Sequence, residues 1–265
     1  GSFTSPAGIA ISPSGSVFVA DTNNHRIQEF LNTGSFTSTS GSYGNSDGIL
    51  NSPFASVIAP DGSIYVTDAN NHQIQRFSAT GTFLNKWGSL GTATGLFNKP
   101  QGIAVDSAGN VYVADSGNNR IQKFTGNGTF STSWTNHLDS PCNIAAAVIG
   151  SETRIFVVNT KLHEVEQFNT SGTFVSKFGV YGAGEGMFYW PKGIAIDANN
   201  NIYIADTNNH RIQKFTSAGS YITKWGGEGT GTGQFEFPTA VSVDHYGYIY
   251  VCDSNNHRIQ KFSST

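Results

Sequence analysis

The sequence predicts an all-β fold, a six-bladed β-propeller whose blades are four-stranded antiparallel sheets. One observation is a string, ADTNNHRIQEF at 20–30, that returns in four near copies and one degenerate copy. A second is its spacing, because its first acidic position falls at 21, 68, 115, 159, 206 and 253, with Asn at 159. The steps of 47, 47, 44, 47 and 47 residues are typical of propeller blades built from short strands. Helical periodicity of useful length is absent, which is the third observation.

Each repeat is predicted to contain four strands, and the fifth repeat shows the pattern. The predicted strands are GIAID at 193–197, IYIAD at 202–206, RIQKF at 211–215 and YITKW at 221–225. The second is apolar on both faces, whereas the third alternates polar and apolar residues as a half-buried strand does. Gly and Asn fill the turns between them, where positive φ is tolerated. A single such sheet cannot bury both faces, so six are predicted to stack around an axis.

We expect one domain over residues 1–265, cut from a longer protein, since no signal peptide is visible and residue 1 is not Met. The predicted blades are approximately 5–51, 52–98, 99–140, 141–189, 190–236 and 237–265. The last blade is incomplete because no outer strand follows RIQKF. Cys142 and Cys252 occupy different repeat positions, so no disulfide is predicted and Cys252 is expected to be a small buried residue.

The strings at 102–124 and 193–215 resemble NHL repeats, and the resemblance covers essentially the whole chain. It implies a propeller that serves as an interaction platform. Some animal members of the family bind RNA, and one branch, the peptidylglycine amidating lyases, carries zinc and performs chemistry.

The repeated Asp, Asn, His and Arg are predicted to be scaffolding, repeated once in each blade. Their turn lies about 12 Å or more from the axis, because strands are spaced about 4.8 Å apart. His25, His72, His210 and His257 therefore cannot converge on one zinc ion, whose nitrogen ligands lie about 2 Å away. We expect the Asp to accept backbone N–H groups of its own turn and to pair with an Arg. Asn is expected at left-handed positions, and the imidazole is expected to bond across the gap between blades.

Specificity is predicted where the copies differ, on the top face, where second-to-third turns and interblade loops open. The residue after each first-strand proline should ring the mouth of the central channel. These residues are Ala7, Phe54, Gln101, Cys142, Lys192 and Thr239. The same variation would arise if the channel mouth had no function and its residues were free to change, so that alternative stays open.

Two features mark the top of the fourth and fifth repeats. Trp190 precedes a proline and could join Tyr189, Phe237 and Phe54 in a surface that stacks on sugars, peptides or bases. The alternative is that these rings fill gaps between blades.

The fourth repeat differs from the others. Its turn NTKLHE contains Lys161 and His163, and its first turn, AAVIGSETR, is enlarged. Either this repeat is specialised for contact with a ligand, or its sequence has diverged without a functional consequence. Trp87, Trp134, Trp225 and Phe178 share one outer-strand position and are predicted to pack.

Composition argues against two classes of partner. The chain has 15 Lys and Arg against 18 Asp and Glu, a net charge of −3, so no positive field is available to hold nucleic acid. No apolar run approaches the roughly 20 residues of a membrane span. Charged residues are only 12%, and the abundance of Ser, Thr and Asn favours an extracellular, cell-surface or periplasmic location.

The enzyme interpretation has weaker support. In the amidating lyases that the repeats resemble, two zinc histidines directly follow first-strand prolines, and none of the six corresponding residues here is His. Lactonase-like propellers hold a metal with inward carboxylates, whereas the first strands here carry Asp only at their bottom ends. We predict no cofactor, although an ion held by backbone carbonyls in the channel would leave no trace in the sequence.

The leading functional prediction is a non-catalytic module that binds a protein segment or glycan. The alternative is an enzyme or ion-dependent binder that uses the channel.

Residues 1–5 could complete the last blade as a strand or belong to an interblade loop. Crossing from a fourth strand to the next first strand spans roughly 14 Å, which needs four or more residues at about 3.3 Å each. The loop interpretation is therefore favoured. It predicts an exposed edge at Arg258–Phe262, available to missing native sequence or to another chain through β-augmentation.

Overall fold

The computed structural model describes residues 1–263 and contains the predicted ring of six sheets. Five sheets have four strands and the sixth has three, and in every sheet the strands follow one another in chain order. All pairings between neighbouring strands are antiparallel, as the repeat pattern predicted. The all-β six-bladed propeller is confirmed.

The two inner strands of each blade are short and mostly buried. The first strands are β1 (Pro6–Ile11), β5 (Pro53–Ile58), β9 (Pro100–Val105), β13 (Pro141–Ile149), β17 (Gly193–Ile196) and β21 (Pro238–Val243). The second strands are β2 (Val17–Asp21), β6 (Ile64–Asp68), β10 (Val111–Asp115), β14 (Glu152–Asn159), β18 (Ile202–Asp206) and β22 (Ile249–Asp253). Apart from the start of β14, every second-strand residue is buried, because blades pack against both of its faces.

Burial falls toward the outside of each blade: third strands are mostly buried or half-buried, and fourth strands are mostly exposed or half-buried. The third strands are β3 (Arg26–Phe30), β7 (Gln73–Phe77), β11 (Arg120–Phe124), β15 (Glu164–Asn169), β19 (Arg211–Phe215) and β23 (Arg258–Phe262). The fourth strands are β4 (Phe36–Ser40), β8 (Phe83–Trp87), β12 (Phe130–Trp134), β16 (Phe174–Phe178) and β20 (Tyr221–Gly226). Single 3-10 turns join second to third strands at Thr22–Asn24, Ala69–Asn71, Ser116–Asn118, Thr207–Asn209 and Ser254–Asn256.

The hydrophobic core lies between blades. It forms six clusters, and each cluster combines residues of two neighbouring blades. Aromatic residues at the end of the fourth strands join them, as predicted. Trp134 contacts Tyr112 of its own blade, with ring centroids 6.4 Å apart, and Phe168 of the next blade at 5.9 Å. Trp87 makes the same pair of contacts with Tyr65 and Phe124.

The first strands surround an axial channel of about 210 Å³. At three of the six gaps a glycine of one first strand lies against the backbone of the next first strand, at Gly8, Gly102 and Gly193. A Cβ added to Gly102 would lie 2.5 Å from Cα of Asn143, and one added to Gly193 would lie 2.6 Å from Cα of Ala240. Glycine at these positions lets the six strands converge on the axis.

The fourth blade departs from the sequence interpretation. The segment taken as an enlarged first turn is a longer hairpin, in which β13 and β14 pair out to Ile149 and Glu152. The turn itself is only the two residues Gly150 and Ser151, and Gly150 has a positive φ of 66°. Polar and apolar residues alternate too weakly here for the extension to be read from the sequence.

Residues 1–5 form a loop and not a strand, so the loop interpretation is confirmed. The backbone N–H of Thr4 donates to Asp21, as the corresponding loop residues do in other blades. The sixth blade closes onto the first through Ser254 Oγ, which donates to the carbonyl of Pro6.

Both cysteines are free and buried, and Cys252 is fully inaccessible, as predicted. None of the helices in residues 1–263 has the length and apolar character of a membrane span.

Candidate functional site

The repeated Asp is the hydrogen-bonding centre of each blade. In the third blade, the fully buried Asp115 accepts the backbone N–H of Asn98 at 2.7 Å through Oδ1. Its Oδ2 accepts side-chain N–H groups from Asn118, Arg120 and Gln122 at 2.9, 2.7 and 3.1 Å. The same hub recurs around Asp21, Asp206 and Asp253, and around Asp68 with Gln73 in the place of the Arg.

The hub corrects two details of the sequence interpretation. The Asp accepts an N–H from the preceding interblade loop and makes no capping bond to its own turn. The left-handed position of the turn belongs to His and not to Asn. His25 has φ of 55°, whereas the neighbouring Asn24 lies in the 3-10 turn and donates to Asp21. Only in the third blade does an Asn, Asn119, take the left-handed position.

The repeated His joins each blade to the next, as predicted. Nδ1 of His25 accepts the backbone N–H of Ser52 in the following blade at 3.0 Å. The equivalent bonds are Lys99 to His72, Trp190 to His163, Phe237 to His210 and Ser5 to His257. In the third blade, Oδ1 of Asn119 accepts from Ser140 at 2.9 Å instead. We call these six bonds the interblade latches.

We expect the latches to make the folded protein less stable in acid. Burial lowers the pKa of His163, and burial together with the charge of Lys99 lowers that of His72. The unfolded chain takes up these protons near pH 6.5, but the folded protein does so only at lower pH. The two latches therefore stabilise fully above about pH 6.5, and this contribution declines as the pH falls through the lowered folded values.

A double variant tests this contribution. His72→Asn with His163→Asn copies Asn119, which does not titrate, and should reduce the drop in Tm between about pH 7.5 and 5. Calorimetry at a series of pH values measures the drop. His245→Asn, in an exposed turn on the bottom face, is the control and should behave as wild type. An unchanged pH dependence in the double variant would contradict the latch.

The fourth blade has a rebuilt hub. Asn159, Glu164 and Glu166 occupy the places of the Asp, Arg and Gln. Glu164 pairs with Lys177 at 2.8 Å, and the fully buried Glu166 lies beside Glu164 and Asn159. Burial and the charge of Glu164 raise the pKa of Glu166 to about 8, so this carboxyl is largely protonated at neutral pH. The blade replaces the Asp–Arg ion pair found in most other hubs with a Glu164–Lys177 ion pair and a largely neutral carboxyl at Glu166.

Four of the predicted residues meet in a pocket of about 340 Å³ on the top face. Phe54, Gln101, Trp190 and Lys192 line it, and the buried Cys142 forms part of its floor. Lys99 also lines it, and none of its lining residues is acidic. Burial raises the pKa of Cys142 to about 11, which leaves the thiol protonated and poorly nucleophilic.

An aromatic rim continues from Trp190 along the fourth and fifth blades. The imidazole of His163 lies 5.9 Å from the Trp190 ring, 6.0 Å from Tyr189 and 5.0 Å from Tyr181. Tyr181 is 66% exposed and Trp190 is 39% exposed. Leu162, on the turn beside His163, is exposed as well.

The other predicted residues lie outside this pocket. Phe237 contacts the ring of His210 at 4.5 Å, and Lys161 pairs with Asp139 at 3.3 Å. Thr239, at the predicted mouth, bonds to the carbonyl of Pro6. The structure therefore divides the predicted aromatic surface: Phe54 and Trp190 line the pocket, whereas Phe237 contacts His210 outside it.

Sequence reasoning selected Trp190 and Phe237 among the pre-proline residues but missed Lys99 and Ser140 at the equivalent positions. The residues before the prolines that begin or precede the first strands all have φ near 50°. They are Ser5, Ser52, Lys99, Ser140, Trp190 and Phe237. Lys99 and Ser140 line the pocket. In the sequence, the only sign of this role was that the residue before the proline differs from one repeat to another. Within residues 1–263, no three His, Cys, Asp or Glu side chains are grouped so as to hold a metal ion.

Comparisons with known families and structures agree with this architecture. The sequence profile described as NHL repeat matches five segments, at residues 3–30, 55–77, 97–124, 188–215 and 235–262. None of them lies in the fourth blade, where the hub is rebuilt. A search of curated proteins gives no match.

Solved structures share the fold over nearly the whole chain. A protein of unknown function from Bacteroides thetaiotaomicron is 17% identical, with a TM-score of 0.76 over 99% of this chain and 70% of its own. Virginiamycin B lyase from Staphylococcus aureus is 17% identical, with a TM-score of 0.65 over 98% and 84%. Hydrazine synthase from Kuenenia stuttgartiensis is 14% identical, with a TM-score of 0.69 over 98% and 96%. At these identities the likeness shows the fold alone.

Proposed function

The chain belongs to the NHL-repeat family of six-bladed propellers, and we propose that it is a non-catalytic module whose top face binds a protein segment or a glycan. The observation that carries the proposal is the top-face pocket, since its walls include residues that the repeat does not require. Phe54 and Trp190 offer apolar rings, and Gln101 and Lys192 offer polar groups. A few convergent polar groups among aromatic rings are the usual composition of a recognition site.

Backbone conformation fixes the position of Trp190. Trp190 holds a left-handed φ of 53°, which is uncommon for a bulky residue, whereas three of the equivalent positions carry Ser. All six pre-proline residues share this conformation, so the repeat imposes it on Trp190. It holds the Trp190 indole at the edge of the pocket.

The neighbourhood of Trp190 favours a protein segment over a glycan. The exposed rim includes the aliphatic side chains of Leu162, Val180 and Met187 as well as the tyrosines. Exposed apolar patches of this kind are typical of protein interaction sites. Lys99 and Lys192 favour a ligand that carries a carboxylate.

The test is binding to peptide and glycan arrays by the wild type and by Trp190→Ala. This change removes the ring but keeps the backbone N–H that His163 accepts, so folding should survive. We expect the affinity for the best array ligand to fall about 30-fold or more, the usual effect of losing a Trp hot spot. Tyr246→Ala, on the bottom face and 67% exposed in the wild type, should leave binding unchanged. Equal binding by Trp190→Ala and wild type, or equal loss in both variants, would reject the site.

A catalytic or ion-dependent use of the channel is the competing function, and the likeness to virginiamycin B lyase is what favours it. It predicts a stoichiometric metal ion in the purified protein, together with an activity that Trp190→Ala leaves intact. Elemental analysis beside the array experiment distinguishes the two functions.

A further inference from the structure

A basic side chain covers a tyrosine ring toward the bottom face of four blades. The tyrosine belongs to the second strand, and the residue directly opposite it on the third strand is Arg or Lys. The four pairs are Tyr65 with Arg76, Tyr112 with Lys123, Tyr203 with Lys214 and Tyr250 with Lys261. The charged groups lie 5.4, 5.3, 5.1 and 5.1 Å from the ring centroids. A cation at this distance is attracted to the face of the ring.

Three of these cations also bridge the gap to the next blade. Each donates to a backbone carbonyl in the third turn of that blade, at the second residue after the Phe of its third strand. The bonds run from Arg76 to Gly126, from Lys123 to Thr170 and from Lys261 to Asn32, at 3.4, 3.3 and 3.1 Å. A basic group at this place therefore meets an aromatic ring of one blade and a carbonyl of the next.

The first blade carries the opposite charge at this place. Phe18 replaces the tyrosine, and Glu29, directly opposite it, replaces the cation. The Glu29 carboxylate accepts the hydroxyl of Ser38 at 2.8 Å, and no Lys or Arg within residues 1–263 forms an ion pair with it. The carbonyl of Ala79 is the equivalent of the Gly126 carbonyl, and it accepts no hydrogen bond from that part of the chain. The first gap therefore keeps the ring and the carbonyl but contains no cation of its own.

A cavity of about 290 Å³ opens at this place, on the bottom face between the first and second blades. Phe18, Ile58 and Ile64 give it apolar walls. Among the described residues, Glu29 is the only charged one in the lining, which also includes Ala79 of the second blade. We call this cavity the Glu29 groove. It combines an apolar wall with a carboxylate that no cation of this chain neutralises.

The fourth blade shows that the local structure does not require this carboxylate. There Gln167 lies opposite Phe156, at the position that Glu29 has in the first blade. Gln167 accepts the hydroxyl of Ser176 at 2.8 Å, just as Glu29 accepts that of Ser38. A neutral amide is therefore sufficient to hold the fourth strand at this point, and the charge of Glu29 remains available to an external partner.

We propose that the Glu29 groove binds a Lys or Arg side chain of another protein. The aliphatic stem packs along Ile64, and the charged group lies over the Phe18 ring, between the Glu29 carboxylate and the Ala79 carbonyl. Arg76 and Lys123 show that both kinds of basic side chain fit a ring and a carbonyl in this arrangement. The carboxylate adds a charge-assisted hydrogen bond, which is stronger than one between neutral groups. The groove is on the face opposite the top-face pocket and does not depend on it.

The probes are acetylated and amidated pentapeptides that carry one central Arg or Lys between neutral residues. Titration into ¹⁵N-labelled protein should shift the backbone amides of Phe18, Glu29 and Ala79 saturably and with one-to-one stoichiometry. We expect Kd values on the order of 1 mM, because cation–π contacts and ion pairs at exposed sites are individually weak. The same peptide with norleucine at its centre keeps the aliphatic stem without the charge and should give no saturable shift.

Free butylguanidinium separates a protein ligand from a small organic cation of the same chemistry. We expect it to bind more weakly than the best peptide, because the hydroxyl-rich rim of Ser12, Ser14 and Ser16 offers hydrogen bonds to a peptide backbone. Butylguanidinium that binds as tightly as every peptide would assign the groove to small cations and overturn the protein source.

Variants of Glu29 locate the site. Glu29→Gln copies Gln167, keeps the acceptor for Ser38 and should weaken the best peptide about fivefold or more. Glu29→Lys copies Lys123 and should abolish binding, because the chain's own ammonium group then fills the groove. Glu185→Gln makes the same change of charge at a 63% exposed carboxylate elsewhere and should bind as wild type, as should Trp190→Ala.

Thermal unfolding of each variant checks that it folds. Absence of saturable binding, wild-type affinity in Glu29→Gln, an equal loss in Glu185→Gln, or equal binding of the norleucine peptide would each overturn the inference.

Discussion

Replacing Asp115 by Ala is expected to lower the free energy of unfolding by about 3–5 kcal/mol, as removal of one partner from a buried ion pair does. The carboxylate accepts four hydrogen bonds and is fully buried. Its loss leaves the guanidinium of Arg120, the amides of Asn118 and Gln122 and the N–H of Asn98 without their acceptor. Unsatisfied buried donors are costly because water cannot replace the lost bonds.

Urea denaturation measures this loss, and two further variants calibrate it. Asp61→Ala removes a 54% exposed carboxylate from a surface pair with Arg76 and should cost within about 1 kcal/mol. Asp115→Asn keeps one acceptor, as Asn159 does in the fourth blade, and should fall between the two. A cost of Asp115→Ala no larger than that of Asp61→Ala would show that the hub is not structural.

Replacing Trp134 by Ala is expected to cost about 3–5 kcal/mol, the usual range for a buried aromatic residue truncated in a core. The ring is 7% exposed and joins the third and fourth blades through Tyr112 and Phe168. The gap between blades cannot collapse easily, because backbone hydrogen bonds fix the sheets on both sides. Denaturant titration should show a lower midpoint.

Adding a Trp at the equivalent position of the first blade tests the same packing from the opposite direction. Ser40 stands at the Trp position of the first blade, and its Oγ lies 2.8 Å from the Cβ position of Gly81, where other blades place a ring. Ser40→Trp should fill this gap and raise the free energy of unfolding by about 1–2 kcal/mol, as cavity filling commonly does. A neutral Trp134→Ala, or a Ser40→Trp that destabilises, would contradict the account of the interblade aromatic residues.

The sequence was sufficient to predict the fold because each structural rule is repeated six times. The strands of the fifth blade were predicted to within one residue at each end, since apolar runs and Gly or Asn turns mark their limits. The bond from His25 across the blade gap was also predictable. It follows from a polar residue recurring in a turn that faces the next blade.

The details that sequence reasoning missed depend on backbone conformation and on ring closure. That His25 is left-handed while Asn24 is helical is set by the hub, in which Asn24 donates to Asp21. The pocket unites Phe54, Lys99 and Trp190, which lie far apart in sequence and meet only when the ring closes. No local pattern could show that Trp190 lines the pocket and Phe237 does not, because both precede the same kind of proline and both make a latch bond.

The central claim is that the repeated Asp and His build the ring, which leaves recognition to residues that are not repeated. Imidazole nitrogen NMR tests it most directly, before and after addition of one equivalent of zinc. We predict that Nδ1 accepts the latch hydrogen bond in each of these imidazoles, so that the ring proton lies on Nε2, and that the Nδ1 resonances do not move when zinc is added. The imidazoles are those of His25, His72, His163, His210 and His257. Protons on Nδ1, or several of these resonances shifting together with a single zinc ion, would contradict the account.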